Sequence, residues 1–202
     1  MKKHLLKTLL TALVLLTGWG SSTWAQTDVT STYLTNADFE GEYSVYSNPS
    51  SDRAIYQPEG WTISYSNGEK NDLTSLNSSC TQWNQFSNKS QPANGGNNTY
   101  WIRFRWGSTS RLTLSQDVTL PAGKYNLTAD AFFNGNGGGS ATISAAGQSL
   151  NVSGNSEWTN YGLEFTLANE TTVTIAFGLN ETSQAEVIAG STISSLLIQK
   201  SW

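Results

Sequence analysis

Two alternating runs of apolar residues, separated by a Pro-Ala-Gly break, constrain the fold of this chain more than any other feature. The first run places Leu112, Leu114, Val118 and Leu120 between polar residues, and after 121–123 the second run places Tyr125, Leu127, Ala129 and Ala131 in the same way. A period of two on both sides of a turn predicts a hairpin of two half-buried antiparallel strands. Each strand has one apolar side that needs a second sheet to cover it, so this segment favours a β-sandwich.

The remaining segments predict further strands and no helix. We expect strands over 33–40, 60–65, 100–106, 141–145, 150–152, 162–167, 172–178 and 191–200, and long polar loops over 44–59 and 66–98, where Ser, Asn, Asp and Pro dominate. No apolar repeat has helical spacing, so the chain is predicted to be all-β. One shared core is expected from Leu112, Leu114, Val118, Leu120, Tyr125, Leu127, Phe165, Val173, Ile175, Phe177, Leu196 and Ile198.

The first 25 residues have the pattern of an export signal. Lys2, Lys3 and Lys7 precede an apolar run from Leu9 to Leu16, and a cleavage site is expected after Ala25. This run is too short to span a membrane, and no later stretch approaches the roughly 20 apolar residues that spanning needs. The sequence therefore predicts a signal peptide of residues 1–25 and a single domain of residues 26–202. That domain would be secreted, periplasmic or exposed at the cell surface.

Charge and rare residues narrow the possible functions. With 15 acidic and 11 basic residues the net charge is −4, and loss of the lysines in the signal peptide makes the mature chain more acidic still. This argues against nucleic acid and anionic membranes as partners. Cys80 is the only cysteine, so no intramolecular disulfide is expected. The only histidine, His4, lies in the signal peptide, so the mature chain has no histidine for a Ser-His-Asp triad or a general base.

Several motifs occur in the order seen in galactose-binding-domain-like jelly rolls. They are 36–40 (NADFE), 60–61 (GW), 115–125 (SQDVTLPAGKY), 158–165 (WTNYGLEF) and 172–178 (TVTIAFG). Among these jelly rolls the chain most resembles the carbohydrate-binding modules of secreted Bacteroidetes glycan-degrading proteins, over nearly the whole mature chain. The resemblance implies a jelly-roll β-sandwich of two antiparallel sheets and a carbohydrate ligand. It also implies other domains or surface proteins of a glycan-utilisation system as partners.

The same resemblance implies a candidate metal ligand. Glu40 matches a position that, in this family, often joins an acid in the last strand around a structural calcium ion. Here Ser194 and Ser195 stand where those acids would be. Calcium prefers several hard oxygen ligands that include carboxylates. No cofactor is therefore required by the sequence, and a structural calcium at Glu40 remains an expectation to test.

One strand has the residues that sugar recognition uses. In the strand predicted over 100–106, Ile102, Phe104 and Trp106 lie on the side expected to face the core. The alternate residues Trp101, Arg103 and Arg105 are then exposed on the other side. A flat indole ring stacks on the C–H faces of a pyranose, and guanidinium groups grip hydroxyls and carboxylates. The alternative is that Trp101 covers the sheet and the arginines pair with surface acids.

Other candidate ligand contacts come from the neighbouring strand and from a polar loop. Asp130 and Phe132 have the parity opposite the core, and Trp83 and Phe86 stand out in the predicted loop over 66–98. Trp61 is instead expected in the core, with Ile63 and Tyr65.

The leading interpretation is a secreted, non-catalytic carbohydrate-binding module. Three alternatives remain open. The first is a cell-surface adhesion or structural β-sandwich with a protein partner, and the second is a small glycan hydrolase or lyase that works through carboxylates. The third is the non-catalytic N-terminal piece of a longer gene product.

Overall fold

The computed structural model describes residues 26–50, 53–67, 76–82, 98–104, 110–135, 138–154, 157–180 and 187–199. The signal peptide predicted for residues 1–25 lies outside these ranges. The described elements are β1 (Thr27–Asp28), α1 (Thr30–Tyr33), β2 (Tyr43–Ser50), β3 (Arg53–Pro58), β4 (Thr62–Asn67), β5 (Leu76–Gln82), β6 (Asn98–Phe104), β7 (Ser110–Leu120), β8 (Gly123–Gly135), β9 (Ser140–Ala145), β10 (Gln148–Val152), β11 (Thr159–Leu167), β12 (Thr171–Asn180) and β13 (Val187–Gln199). In this part of the chain no helix has the length and apolar character needed to cross a membrane.

The strands form an antiparallel β-sandwich, as the sequence predicts. A six-stranded sheet has the order β11-β8-β13-β6-β5, with β1 also paired to β13, and a five-stranded sheet has the order β10-β9-β12-β7-β4. All twelve residues predicted for the core are buried and belong to one apolar cluster between the sheets. We call the side of the six-stranded sheet that turns away from this cluster the outer face.

The two runs around the Pro-Ala-Gly break do not form the predicted hairpin. Strand β7 lies in the five-stranded sheet between β12 and β4, whereas β8 lies in the six-stranded sheet between β11 and β13. The connection therefore crosses from one sheet to the other, and the apolar sides of β7 and β8 both face the core. Alternation correctly predicted which side of each strand is buried, but it does not specify the hydrogen-bonding partner.

Tyr125 fixes this crossing between the sheets. Its hydroxyl donates a hydrogen bond to the carbonyl oxygen of Pro121 at 2.7 Å, and its ring stacks on that of Phe165 with centroids 5.2 Å apart. Burial raises the pKa of the Tyr125 hydroxyl to about 12, with a smaller contribution from Tyr33. Because the neutral hydroxyl is the donor, the fold favours the protonated form.

The prediction of a strand over 33–40 is wrong, because these residues form the end of a helix and a loop. Helix α1 ends at Tyr33, and the following loop puts Asn36 and Phe39 in the left-handed region, with φ of 50° and 59°. The Asn36 side chain accepts a hydrogen bond from the backbone N–H of Gly41 at 2.8 Å, and that of Asp38 accepts one from Glu40 at 3.2 Å. Such local side-chain bonds compete with the pairing that a strand needs.

Gln116 holds this loop to the sandwich. It occupies an inward position on β7, and only 7% of its surface is exposed. Its Oε1 accepts the N–H of Thr35 at 2.8 Å, and its Nε2 donates to the carbonyl oxygens of Thr35 and Gly60 at 3.0 and 2.9 Å. As predicted, Trp61 is in the core, and its indole N–H also reaches the loop, at the carbonyls of Thr35 and Asn36.

The two predicted long loops contain strands. Within 44–59, residues 44–50 and 53–58 belong to the β2–β3 pair, in which Tyr43 meets Tyr56 edge to face at 5.4 Å and Ile55 is fully buried. These apolar contacts outweigh the Ser, Asn and Pro signals of the segment. Within 66–98, β5 pairs with β6 along its whole length. Residues 66–67 end β4 and Asn98 begins β6, whereas 68–75 and 83–97 lie outside the described residues.

Candidate functional site

The predicted ligand contacts fall partly within the described residues. Trp101 and Arg103 lie on β6, and Asp130 and Phe132 lie on β8. Trp83, Phe86 and Arg105 lie outside the described ranges. The four described residues all belong to the outer face, since their neighbours along each strand enter the core. Strand β13 lies between β6 and β8, so these candidates are on strands that do not pair directly.

A glycine on β13 brings the two aromatic candidates into one row. Gly190 is opposite Trp101 in the β13–β6 pair and opposite Phe132 in the β13–β8 pair. Glycine contributes no side chain, so the row Phe132–Gly190–Trp101 has two aromatic residues with none between them, and Gly190 itself is buried.

Trp158 extends this row beyond Phe132. It comes directly before β11, and its ring contacts that of Phe132 with centroids 5.8 Å apart. Both Trp158 and Trp101 are half-buried. We call Trp158, Phe132, Gly190 and Trp101 the aromatic row. The sequence does contain a signal for Trp158. Counted along the strand in steps of two, it falls on the same side as Asn160 and on the opposite side from the core residues Leu163 and Phe165.

Burial changes the roles expected for two of the candidates. Only 1% of Asp130 and 2% of Phe132 is exposed, although the outward parity predicted accessible side chains. Phe132 packs beneath Trp158, and Asp130 accepts a hydrogen bond from the side-chain amide of Asn160 at 2.7 Å. Both residues are therefore placed to support their neighbours on the outer face. Arg103 is likewise half-buried, in contrast to the exposed position expected for it.

Small polar residues cover the middle of the outer face. Thr128 and Ser195 lie opposite each other on β8 and β13, and their hydroxyls are 2.7 Å apart. Asn160 donates a second, longer hydrogen bond to the hydroxyl of Ser194 at 3.4 Å. On β11, Gly162 is opposite Thr128 and adds no side chain. Hydroxyl and amide groups at these positions can both donate and accept hydrogen bonds.

Asn98 contacts the carboxylate of Glu40, the residue that the resemblance marks as a candidate calcium ligand. The Glu40 carboxylate accepts hydrogen bonds from the backbone N–H and the side-chain amide of Asn98, at 2.7 and 3.2 Å. Ser194 and Ser195 are bonded to Asn160 and Thr128 instead. Among the described residues no group of three or more Cys, His, Asp or Glu could hold a metal. Calcium takes about 6–8 oxygen ligands, several of them usually carboxylates.

Other surface features lie away from the aromatic row. The exposed large apolar residues of the described ranges are Tyr43, Val45 and Tyr46 on β2, each about half exposed. A cavity of about 600 Å³ lies beside the β9–β10 turn and the start of β12, on the five-stranded sheet. A smaller cavity of about 390 Å³ is lined by residues of β8, β11 and β13.

Comparison with known proteins found similarity of structure only. No protein-family model matches the sequence, and the search of curated proteins gave no match. Solved structures similar to this chain include TmCBM61 in complex with β-1,4-galactotriose, with 20% identity, a TM-score of 0.48 and coverage of 83% of this chain and 98% of that one.

Two further structures are of the same kind. The CBM22-1 xylan-binding domain of Paenibacillus barcinonensis Xyn10C has 8% identity and a TM-score of 0.43, covering 72% of this chain and 90% of that one. A family 11 carbohydrate-binding module from Clostridium thermocellum, in complex with a mixed-linked tetrasaccharide, has 10% identity and a TM-score of 0.42, covering 82% and 93%. These structures are carbohydrate-binding modules, the group that the sequence motifs resemble.

Proposed function

We propose that this protein is an exported, non-catalytic carbohydrate-binding module whose saccharide lies on the outer face of the six-stranded sheet. The observation that carries this proposal is the aromatic row. Gly190 separates two aromatic positions, and Trp101 and Trp158 at the two ends of the row keep part of their surface accessible. Rings held in this way suit the C–H faces of pyranose rings, which contribute apolar area without charge.

Polar groups beside the aromatic row can form hydrogen bonds with the hydroxyl groups of a sugar. Thr128, Ser195 and Asn160 present hydroxyl and amide groups on the same face, and Arg103 adds a guanidinium next to Trp101. An arginine fork suits a carboxylate or two adjacent hydroxyls. The proposed ligand is therefore an oligosaccharide or polysaccharide that contacts both rings and polar side chains.

A glycan array with the exported protein tests this function. Trp101→Ala should lower affinity about 5- to 150-fold, the loss typical of an interface anchor, whereas Trp101→Phe should retain much of it. Tyr46→Ala is the matched control, since it removes an exposed ring from the β2–β3 hairpin. Loss of binding in Tyr46→Ala with full binding in Trp101→Ala would move the site to the hairpin.

The same preparation separates the alternative functions. If no glycan binds and a protein partner is captured, the β-sandwich is an adhesion or structural module. Release of shorter sugars from a bound glycan at high protein concentration, abolished by a single carboxylate substitution, would instead establish a hydrolase or lyase.

A further inference from the structure

A polar cavity lies at the edge of the sandwich, towards the opposite end of β8 from the aromatic row. It has a volume of about 390 Å³, near the lower end of the range of about 300–1,000 Å³ that is typical of small-molecule sites. Asn126 is six residues from Phe132 along β8, which corresponds to roughly 20 Å. We call it the amide cavity, after the polar side chains that make up most of its lining: Gln26, Lys124, Asn126, Gln148, Glu164 and Gln199. Thr166 and the almost fully buried rings of Tyr125 and Phe165 complete the lining.

Strand register explains why these side chains converge. Lys124 on β8 is opposite Gln199 on β13, and Asn126 is opposite Glu164 on β11. Their neighbours Tyr125 and Phe165 turn inward and stack in the core. Gln148 begins β10, in the other sheet, so the cavity lies where the edges of the two sheets approach each other.

The chemistry of the lining favours an uncharged ligand rich in hydroxyl groups. Each of the four amides offers both a donor and an acceptor, as a sugar hydroxyl does. Lys124 and Glu164 contribute one charge of each sign, so an anion or a cation would meet repulsion as well as attraction. An apolar ligand would leave these polar groups desolvated without partners.

Asn126 adds a second, independent observation. Its Oδ1 is buried, and no hydrogen-bond partner for it is found among the residues that the structure describes. This oxygen packs close to Gly162, where an added Cβ would lie 3.4 Å away. A buried amide oxygen without a donor is unfavourable, and a flip of the side-chain amide would exchange the positions of its oxygen and nitrogen. A hydroxyl group bound beside Asn126 in the cavity could then act as a donor to this amide.

We propose that the amide cavity is a second saccharide subsite, which takes a neutral sugar ring through its hydroxyl groups. This inference rests on the proposed function, since it assumes that the protein binds saccharide. It adds a polar subsite that works without aromatic stacking, at a distance from the aromatic row. The two subsites therefore make separate demands on the ligand, stacking at one end and hydrogen bonding at the other.

NMR titration of the exported protein with monosaccharides tests the proposal. A panel of glucose, galactose, mannose and xylose is compared with glucuronate and glucosamine, while the side-chain amide signals of Asn126, Gln148 and Gln199 and the indole signal of Trp101 are followed. We expect at least one neutral sugar to shift the amide signals, and neither charged sugar to bind more tightly there. The double variant Gln148→Ala/Gln199→Ala should weaken this binding about tenfold.

A glutamine outside the amide cavity provides the matched control. Gln57→Ala removes an amide from β3, outside the cavity, and should leave the titration unchanged. If only the Trp101 signal shifts, the cavity proposal is overturned and the proposed function stands. If the cavity amides shift and Trp101 does not, the subsite stands and the aromatic row is not the place of binding. Tighter binding of glucuronate or glucosamine at the amides would overturn the neutral class.

Discussion

Asn98 donates both its backbone N–H and its side-chain amide to the carboxylate of Glu40, at 2.7 and 3.2 Å. These two bonds join the loop that follows α1 to the first residue of β6, the strand that carries Trp101. In the family that the sequence resembles, this carboxylate position often holds calcium. Here the carboxylate accepts two hydrogen bonds from Asn98.

We therefore predict that calcium does not stabilise this protein. A specific site at a hundredfold excess of ion over its dissociation constant would add about 2.7 kcal/mol to the free energy of unfolding. For a domain of this size that corresponds to roughly 5–11 °C in the melting temperature. Melting curves in 5 mM calcium and in EDTA should instead agree within about 2 °C.

Variants at Asn98 and Glu40 test whether the contact between these two residues stabilises the fold and whether calcium binds there. Asn98→Ala should lower the free energy of unfolding by about 1–2 kcal/mol, because the Glu40 carboxylate loses a donor. Asn160→Ala serves as the control, since it removes an amide bonded to Asp130 and not to Glu40. A rise of several degrees with calcium that disappears in Glu40→Gln would show that an ion does bind at Glu40.

Gln116 provides a test of how the loop after α1 is held. Gln116→Leu removes three hydrogen bonds and takes this partner from the N–H of Thr35 and the carbonyl of Gly60, while the carbonyl of Thr35 keeps the bond from Trp61. We expect urea denaturation to show a loss of about 2–4 kcal/mol, because buried polar groups left unsatisfied are costly. Gln57→Leu makes the same change at a half-buried position on β3 and should lower the free energy of unfolding by less than about 1 kcal/mol. Equal losses in both variants would mean that Gln116 is not specifically important.

Alkaline pH should destabilise the protein through Tyr125. Its pKa is raised to about 12 in the folded chain, against an ordinary value of 10.0. Between these two values the unfolded chain loses the proton and the folded chain keeps it, so the free energy of unfolding falls as pH rises. The fall should total up to roughly 2–3 kcal/mol and be complete near pH 12.

The variant Tyr125→Phe isolates this effect. It should be less stable than the parent at pH 8, because the hydrogen bond to Pro121 is lost, but its free energy of unfolding should change less between pH 10 and 12. Tyr161→Phe is the control, since Tyr161 bonds the exposed Ser153 instead. Parallel pH profiles for the parent and Tyr125→Phe would show that another group is responsible.

The sequence predicted burial much better than it predicted pairing. Alternation identified the core residues because period-two patterning directly reflects which side of a strand is apolar. It could not assign β7 and β8 to different sheets, because a hairpin and a crossing between sheets bury the same side chains. Gln116 did leave a sequence signal, as a polar residue at an inward position between Leu114 and Val118.

For the candidate site, too, the sequence predicted on which side of a strand each residue lies but not how the strands pair. Parity placed Trp101 and Phe132 on one side of a sheet, but the intervening strand and its Gly190 depend on a pairing that sequence does not encode locally. Burial of Asp130 and Phe132 was missed because it depends on Trp158 and Asn160, which come from a strand distant in sequence. The amide cavity draws its lining from four strands and the residue before β1, so no single segment predicts it.

The last prediction concerns the preference for acidic or neutral glycans, and it uses two arginines in different sheets. Arg103→Gln should weaken binding of an acidic glycan about tenfold and have little effect on the same glycan after its carboxyl groups are reduced, since a fixed cation favours only the charged form. Arg111→Gln is the matched control, because Arg111 lies on β7 and donates to Asn180. Isothermal titration at 20 and 300 mM NaCl should show that the Arg103 effect shrinks at high salt, as expected for a half-buried charge. Equal losses for the acidic and the reduced glycan would show that Arg103 contributes hydrogen bonding or packing in place of charge recognition.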